Sequence, residues 1–142
     1  MNCIFCNIID KKAHAEILYE DNETLVLLDI HPLNYGHTLV IPKEHHENIL
    51  EVPSDLLKRM IIVLQETAEA VKTAVEADGF NIIVNTGRAA GQTIFHFHFH
   101  IIPRYKDDKV TKLQLKTYPE GEFKKYADKI RLVINNKVKK NG

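Results

Sequence analysis

No tryptophan occurs in these 142 residues, cysteine occurs only twice, and neither sign of charge is in excess. Each shortage excludes something. Cys3 and Cys6 lie too close together to close a loop that would staple the chain, and one such pair would do little for a protein of this size. They read as metal ligands or as a redox pair. Lys plus Arg and Asp plus Glu both total 19, so no overall positive field is present to gather phosphate backbones, and nucleic acid is not an expected partner. Long hydrophobic runs are missing as well. The longest, around Met60 to Leu64, is far short of the roughly 20 apolar residues that cross a bilayer. The start at Met1 has no basic stretch followed by a hydrophobic segment, so no membrane attachment is expected and a cytoplasmic protein follows.

What is present suits one ordinary domain spanning 1–142. Segments Glu16 to Glu20, Thr24 to Ile30 and His37 to Pro42 carry clustered or alternating apolar and β-branched residues, with turn chemistry at Asp21-Asn22 and Asn34-Tyr35-Gly36. They predict three strands. From Ser54 to Ala77, Leu57, Met60, Ile61, Leu64, Ala68, Val71 and Val75 fall on one helical stripe. Ser54 or Asp55 is placed to cap this helix and Gly79 to stop it. Phe80 to Asn85 and Ile94 to Ile102 predict two further strands, linked as a hairpin through the loop from Thr86 to Thr93. The pattern implies an α+β fold: a five-stranded antiparallel sheet carrying one long helix on one face. In the Lys-rich tail from Lys124 to Lys140, Phe123, Tyr126, Ile130 and Val133 recur at helical spacing, which reads as a solvated helix face rather than a binding patch.

The most informative segment is Phe95-His96-Phe97-His98-Phe99-His100-Ile101-Ile102. Read as a strand, its period of two puts three imidazoles on one face, about 6.6 Å apart in succession, and the phenylalanines on the other. The apolar face belongs to the core. Imidazole titrates near neutrality and can serve as nucleophile, acid or base. Two other readings stand beside catalysis: a tri-histidine zinc centre, and a polar strand face that happens to use histidine.

Gly91 to Ile102, with its His-x-His-x-His followed by two apolar residues, resembles the signature of the histidine triad (HIT) superfamily of nucleotide hydrolases and transferases. The resemblance extends to Cys3-Ile4-Phe5-Cys6, Leu28-Asp29-Ile30-His31-Pro32, Gly36 to His45 and Asn85-Thr86-Gly87, covering roughly residues 3 to 104 and leaving 105–142 as a C-terminal extension. It implies a HIT-like fold with a short N-terminal helix, and a mechanism in which His98 attacks the α-phosphorus to form a covalent nucleotidyl-histidine that water hydrolyses. For that attack one ring nitrogen of His98 must be free and the other held, and a backbone carbonyl near His37 or His96 is the expected partner. His100 corresponds to the residue that contacts phosphate and leaving group, and His96 and His37 complete the expected catalytic set. Asp29 resembles the ribose-binding carboxylate; Gly91, Gln92 and Thr93 the phosphate loop, through a side-chain amide, a hydroxyl and backbone N–H groups; and Asn85 a polar residue on the phosphate side. Ile4, Phe5, Ile8 and Leu27 align with the slot that sandwiches the base, though apolar residues there equally suit a core.

Cys3 and Cys6 need two more ligands for a tetrahedral zinc site, with His45, His46 and His96 as candidates. The resemblance implies Cys3, Cys6, His45 and His96, a closed structural zinc and no catalytic metal; packing cysteines are the plain alternative. The implied substrate is a small molecule, a purine nucleoside monophosphate joined through P–N or a similar bond to a leaving group, and the implied assembly is a homodimer. A second branch of the superfamily cleaves dinucleoside polyphosphates asymmetrically, and Pro103-Arg104 is compatible with it. A nucleotide-binding protein without significant turnover is the third reading.

Overall fold

The computed structural model describes residues 3–111 and 114–141, with side chains up to residue 137. Met1 and the last lysines of the tail, Lys139 and Lys140, fall outside what is described of chain or side chain. In chain order the elements are α1 (Ile4–Ile9), β1 (Ile17–Glu20), β2 (Thr24–Leu28), β3 (Thr38–Pro42), α2 (Ser54–Ala74), β4 (Gly79–Ile83), β5 (Phe99–Arg104) and α3 (Glu122–Asn141). The five strands form one sheet in the order β1-β2-β3-β5-β4, every neighbouring pair antiparallel. The α+β class with a five-stranded antiparallel sheet, a long helix and a short N-terminal helix is what the sequence led one to expect. No helix among the described residues is long and apolar enough to cross a membrane.

The sheet separates two apolar clusters, because successive side chains along a strand point to opposite faces. On one face Val26, Leu28, Val40, Phe97, Phe99 and Ile101 pack against Met60, Leu64, Ala68 and Val71 of α2. On the other, Leu25, Leu27, Leu39 and Ile41 pack against Phe5 and Ile8 of α1. The Lys-rich tail keeps the expected solvated helix face, with Lys124, Lys125 and Lys129 exposed, and buries the opposite face. It forms a second long helix, α3, whose Ala127, Ile130 and Ile134 are buried in the first cluster. Arg131 fixes it to β1, donating to the Ile17 carbonyl at 2.7 Å and to Glu16 at 2.6 Å.

Three local differences from the expected boundaries have physical causes. The long helix ends at Ala74, where Glu76 adopts a positive φ of 53° and the Ala77 N–H closes on the Lys72 carbonyl; Gly79 opens β4 instead of stopping the helix. At the other end Pro53 occupies the cap position and no side chain caps, so neither Ser54 nor Asp55 plays that part. Third, β5 begins at Phe99, and residues 84–98 form a long connection, not a hairpin strand reaching back to Ile94. The ladder with β3 stops at the Val40–Phe99 pair. Pro42 has no N–H to continue it, its carbonyl is taken by the His96 side chain at 2.8 Å, and the Phe97 N–H turns to the His46 carbonyl at 2.6 Å.

Candidate active site

Because the chain is not a regular strand before Phe99, its three histidines do not share one face. Phe97 and Phe99 still enter the core, as the alternation requires. The imidazole of His96 is fully buried and turned toward the N-terminal cysteines, whereas His98 and His100 line a cavity of about 690 Å³. A tri-histidine metal centre is therefore not formed. The His98 and His100 rings meet edge to face with centroids 4.7 Å apart, closer than an ideal strand would hold them.

His98 is the best-defined group in the cavity. Its Nδ1 lies 2.8 Å from the carbonyl oxygen of His96, and a carbonyl only accepts, so Nδ1 carries the proton and Nε2 keeps its lone pair. Of the two carbonyls expected from the sequence, it is that of His96 which holds the ring. Phe5 packs edge-on against it at 5.1 Å. Burial lowers the His98 pKa, which favours the neutral ring whose lone pair is available.

A second chain of imidazoles fixes His100. The Leu33 N–H donates to His37 Nδ1 at 3.0 Å, so the neutral His37 ring must carry its proton on Nε2. Burial, with His100 and His98 nearby, holds His37 neutral down to about 3. His37 Nε2 lies 2.9 Å from His100 Nδ1, which must then accept. In the neutral ring this leaves the His100 proton on Nε2. Asp29 stands beside this chain, with Oδ2 3.6 Å from His37 Nε2 and Oδ1 accepting the His31 N–H at 2.8 Å; burial raises its pKa. Asp29, His37 and His100 are close enough to surround an ion, but a His37 ring whose Nδ1 accepts from an amide has no Nε2 lone pair to give one.

The other expected residues reach the same cavity. Phe5, Ile8 and Leu27 form one wall while also belonging to the core beneath α1, and the half-exposed Ile4 stands at the rim. Asn85, Gly91, Gln92 and Thr93 line the cavity from the long connection. Gly91, at φ 95°, makes the turn possible. Here the expectation for Gln92 needs correcting. Its side chain is buried and fully engaged: Oε1 accepts the Gly87 N–H at 2.8 Å, and Nε2 donates to the carbonyls of Glu47 at 2.7 Å and Ile94 at 3.1 Å. The N–H groups of Gly91 and Gln92 are likewise spent on Arg88 and Gly87 carbonyls within the turn. Gln92 braces the loop, and the exposed Thr93 is left as its polar face toward a ligand. Sequence reasoning missed Leu39, Ile83, Ile102 and Leu115 in the lining. Ile102 was legible as the next alternate residue after His98 and His100; nothing local marks Leu115.

Behind the cavity, Cys3, Cys6, His45 and His96 bring one ligand atom each within 4.8 Å of one another. His46, the other candidate, instead offers its backbone carbonyl to Phe97 and is absent from the cluster. The donor chemistry fits a metal ion. The His96 Nε2–H is spent on the Pro42 carbonyl, so its Nδ1 lone pair faces inward, 3.1 Å from His45 Nδ1, 3.4 Å from Cys3 Sγ and 3.6 Å from Cys6 Sγ, with Cys6 Sγ 3.3 Å from His45 Nδ1. Tetrahedral zinc with ordinary bond lengths sets such edges at about 3.3–3.6 Å. The two cysteines are free thiols, and burial together with Cys3 pushes the Cys6 thiol up to about 11, so a cation is what would make it a thiolate. Cys3 also caps α1, its sulfur accepting the Cys6 N–H at 3.3 Å.

Comparison with known proteins gives a consistent context. The HIT domain profile matches residues 10–107. A HIT-like protein of Methanocaldococcus jannaschii is 50% identical over 106 residues, covering 75% of this chain and 81% of that one. The adenylylsulfatase HINT3 of Arabidopsis thaliana is 43% identical over 107 residues, which cover 75% of this chain and 54% of that longer protein. Among solved structures, a zinc-bound histidine triad family protein from Mycobacterium smegmatis superposes with a TM-score of 0.86 at 38% identity, covering 96% of this chain and 95% of that one.

Proposed function

The chain belongs to the HIT domain family, and from that premise we propose that it is a nucleotide hydrolase that works through a covalent nucleotidyl-histidine at His98. The observation that carries this reading is the clamp on His98: Nδ1–H held by the His96 carbonyl at 2.8 Å, and the remaining ring nitrogen belonging to a residue that lines a nucleotide-sized cavity. The substrate is a purine nucleoside monophosphate whose phosphorus also carries a leaving group, of the phosphoramidate type. The adenylylsulfatase activity in the name of the Arabidopsis relative supports hydrolysis at an adenylyl phosphorus.

His98 Nε2 donates its lone pair to phosphorus, and the bond from phosphorus to the leaving group breaks with its electron pair going to the leaving group, which takes up a proton. Water then attacks the same phosphorus and gives up a proton, which balances the one the leaving group took; the bond from phosphorus to Nε2 breaks, Nε2 recovers its lone pair, and the nucleoside monophosphate departs. Splitting one displacement into two lowers each barrier. The Leu33, His37 and His100 relay presents His100 as a neutral donor at the phosphoryl group, where a fixed dipole needs no reorganisation. Asp29 receives the ribose hydroxyls through the oxygen not bound to His31, while Phe5, Ile8 and Leu27 enclose the base.

Zinc held by Cys3, Cys6, His45 and His96 would neutralise two thiolates and tie α1 to the segments that follow β3 and precede β5, with no open position for a reacting group. The same His96 holds His98 through its backbone, so the cluster sets the position of the nucleophile from behind. The test is direct: wild-type protein quenched during turnover of an adenosine phosphoramidate should carry an acid-labile adenylyl adduct on His98, and His98→Ala should lose at least about a hundredfold in kcat/KM. An active wild type with no adduct would rule the mechanism out.

A further inference from the structure

The tautomer of His37 is set by a backbone amide, that of Leu33, and an amide can dictate the place of a proton only if the turn that carries it is held. Leu33, Asn34, Tyr35 and Gly36 give no side chain to either apolar cluster among the described residues. Side-chain packing in the core therefore does not fix this turn. Inside it, the His37 N–H donates to the Asn34 carbonyl at 3.0 Å and the Thr38 hydroxyl to the Gly36 carbonyl at 2.8 Å. That leaves the side-chain amide of Asn34 and the N–H of Gly36, both on buried residues, to find partners elsewhere.

Both find them in residues 103–118. Asn34 is 8% exposed, and its Nδ2 donates to the Pro103 carbonyl at 3.0 Å and to Asp108 Oδ2 at 3.2 Å. Asp108 is a fixed partner, since it also accepts from the Arg104 guanidinium at 2.6 Å and from the Tyr105 N–H at 2.7 Å. The Gly36 N–H donates to the Tyr118 hydroxyl at 2.7 Å. Only glycine brings the backbone this close: φ is 97°, and a Cβ would lie 3.0 Å from Val75 Cγ1 and 3.2 Å from Pro103 Cγ. The Tyr118 ring packs against Tyr35 at 5.0 Å and Phe123 at 5.1 Å, and the Lys116 N–H ties the same segment to the Pro32 carbonyl at 2.7 Å. The C-terminal extension thus grips the turn at Pro32, Asn34 and Gly36.

We propose that Asn34 and Tyr118 are positioning residues of the imidazole relay: by holding the turn from Pro32 to Gly36 they keep the Leu33 amide on His37 Nδ1, and so keep the protons of His37 and His100 on Nε2. The bearing on catalysis rests on the nucleotidyl-transfer reading above, in which His100 donates to the phosphoryl group. With the turn loosened, His37 can carry its proton on Nδ1 and accept through Nε2. His100 then donates from Nδ1, and its Nε2 is left without a proton.

The experiment reads the ring nitrogens directly. With nitrogen-labelled histidine, at a pH where both rings are neutral, NMR should show His37 and His100 protonated on Nε2 alone in the wild type, the signals being assigned with His37→Gln and His100→Gln. Tyr118→Phe deletes the hydroxyl and keeps the ring; Asn34→Ala deletes the amide. Each should shift both pairs of nitrogens toward mixed tautomers and lower kcat on an adenosine phosphoramidate by roughly tenfold or more, with a smaller change in KM. Tyr126→Phe alters the same ring cluster at a hydroxyl that makes no hydrogen bond to the turn among the described residues, and it should leave the tautomers as they are. If one variant fails to fold, the other decides. Tautomers unchanged in the folded variants, whatever the loss in Tm, would make the two residues merely structural and overturn the proposal. Mixed tautomers with kcat unchanged, or a wild type that already populates both, would overturn it as well. Nitrogens that respond as expected in a protein whose wild type turns over no adenylyl compound would instead overturn the nucleotidyl-transfer reading and leave the positioning of the rings standing.

Discussion

Replacing Gln92 by alanine should damage stability more than it damages recognition of any one substrate. The side chain is 2% exposed and makes three hydrogen bonds, at 2.8 Å from Gly87, 2.7 Å to Glu47 and 3.1 Å to Ile94. Each such bond contributes about 1 kcal/mol net, and each buried partner left unpaired adds a desolvation cost, so the loss should be about 2–4 kcal/mol. For a chain of this length about 1 kcal/mol moves Tm by roughly 2–4 °C, giving a fall of roughly 5–15 °C by calorimetry. Gln92→Glu should be at least as harmful, because it sets a carboxylate oxygen against the Glu47 and Ile94 carbonyls. Activity should fall for all substrates by a similar factor as the loop carrying Thr93 and Asn85 loosens. If Gln92→Ala leaves Tm unchanged and raises KM for one substrate class only, the amide touches ligand and the reasoning from its three internal partners is wrong.

Elemental analysis of the purified protein should find one zinc per chain. His45→Ala should lower that content, expose Cys3 and Cys6 to a thiol reagent and reduce Tm; full metal content in that variant would remove His45 from the ligand set. The buried neutral His37 should make the fold acid-sensitive. Its pKa is lowered to about 3 in the folded state against an ordinary 6.5, so the unfolded chain binds the extra proton between those values, and stability present above pH 6.5 is lost as pH falls toward 3. At pH 5 the loss from this group is about 2 kcal/mol. Urea titrations at pH 7 and 5 should show a smaller difference for His37→Gln than for wild type, and equal differences would refute the assignment.

Much of the fold could be read without coordinates because the relevant signals are local. Short clusters of apolar and β-branched residues mark β1 to β3, period-two alternation marks the phenylalanine face of the histidine run, and period 3.6 marks α2. The chain ends of these elements were less legible: Glu76 adopts a left-handed conformation that its residue type does not advertise, and Pro42 ends the ladder only because β5 happens to lie opposite. The tail's lysines concealed the burial of Ala127, Ile130 and Ile134, since the wetter side of an amphipathic helix dominates its composition.

The sequence by itself determined which chemistry was available: an imidazole nucleophile in a His-x-His-x-His run, a carboxylate at Asp29, and four soft or borderline metal donors at Cys3, Cys6, His45 and His96. Tertiary structure alone decided how each group is used. A side chain's role follows from its hydrogen-bond partners, and those come from distant parts of the chain: Pro42 for His96, His37 for His100, Glu47 for Gln92. That is why His96 turns its ring to the cysteines and only its carbonyl to His98. It is also why Gln92 became a brace, and why Leu115, unremarkable in sequence, reached the cavity.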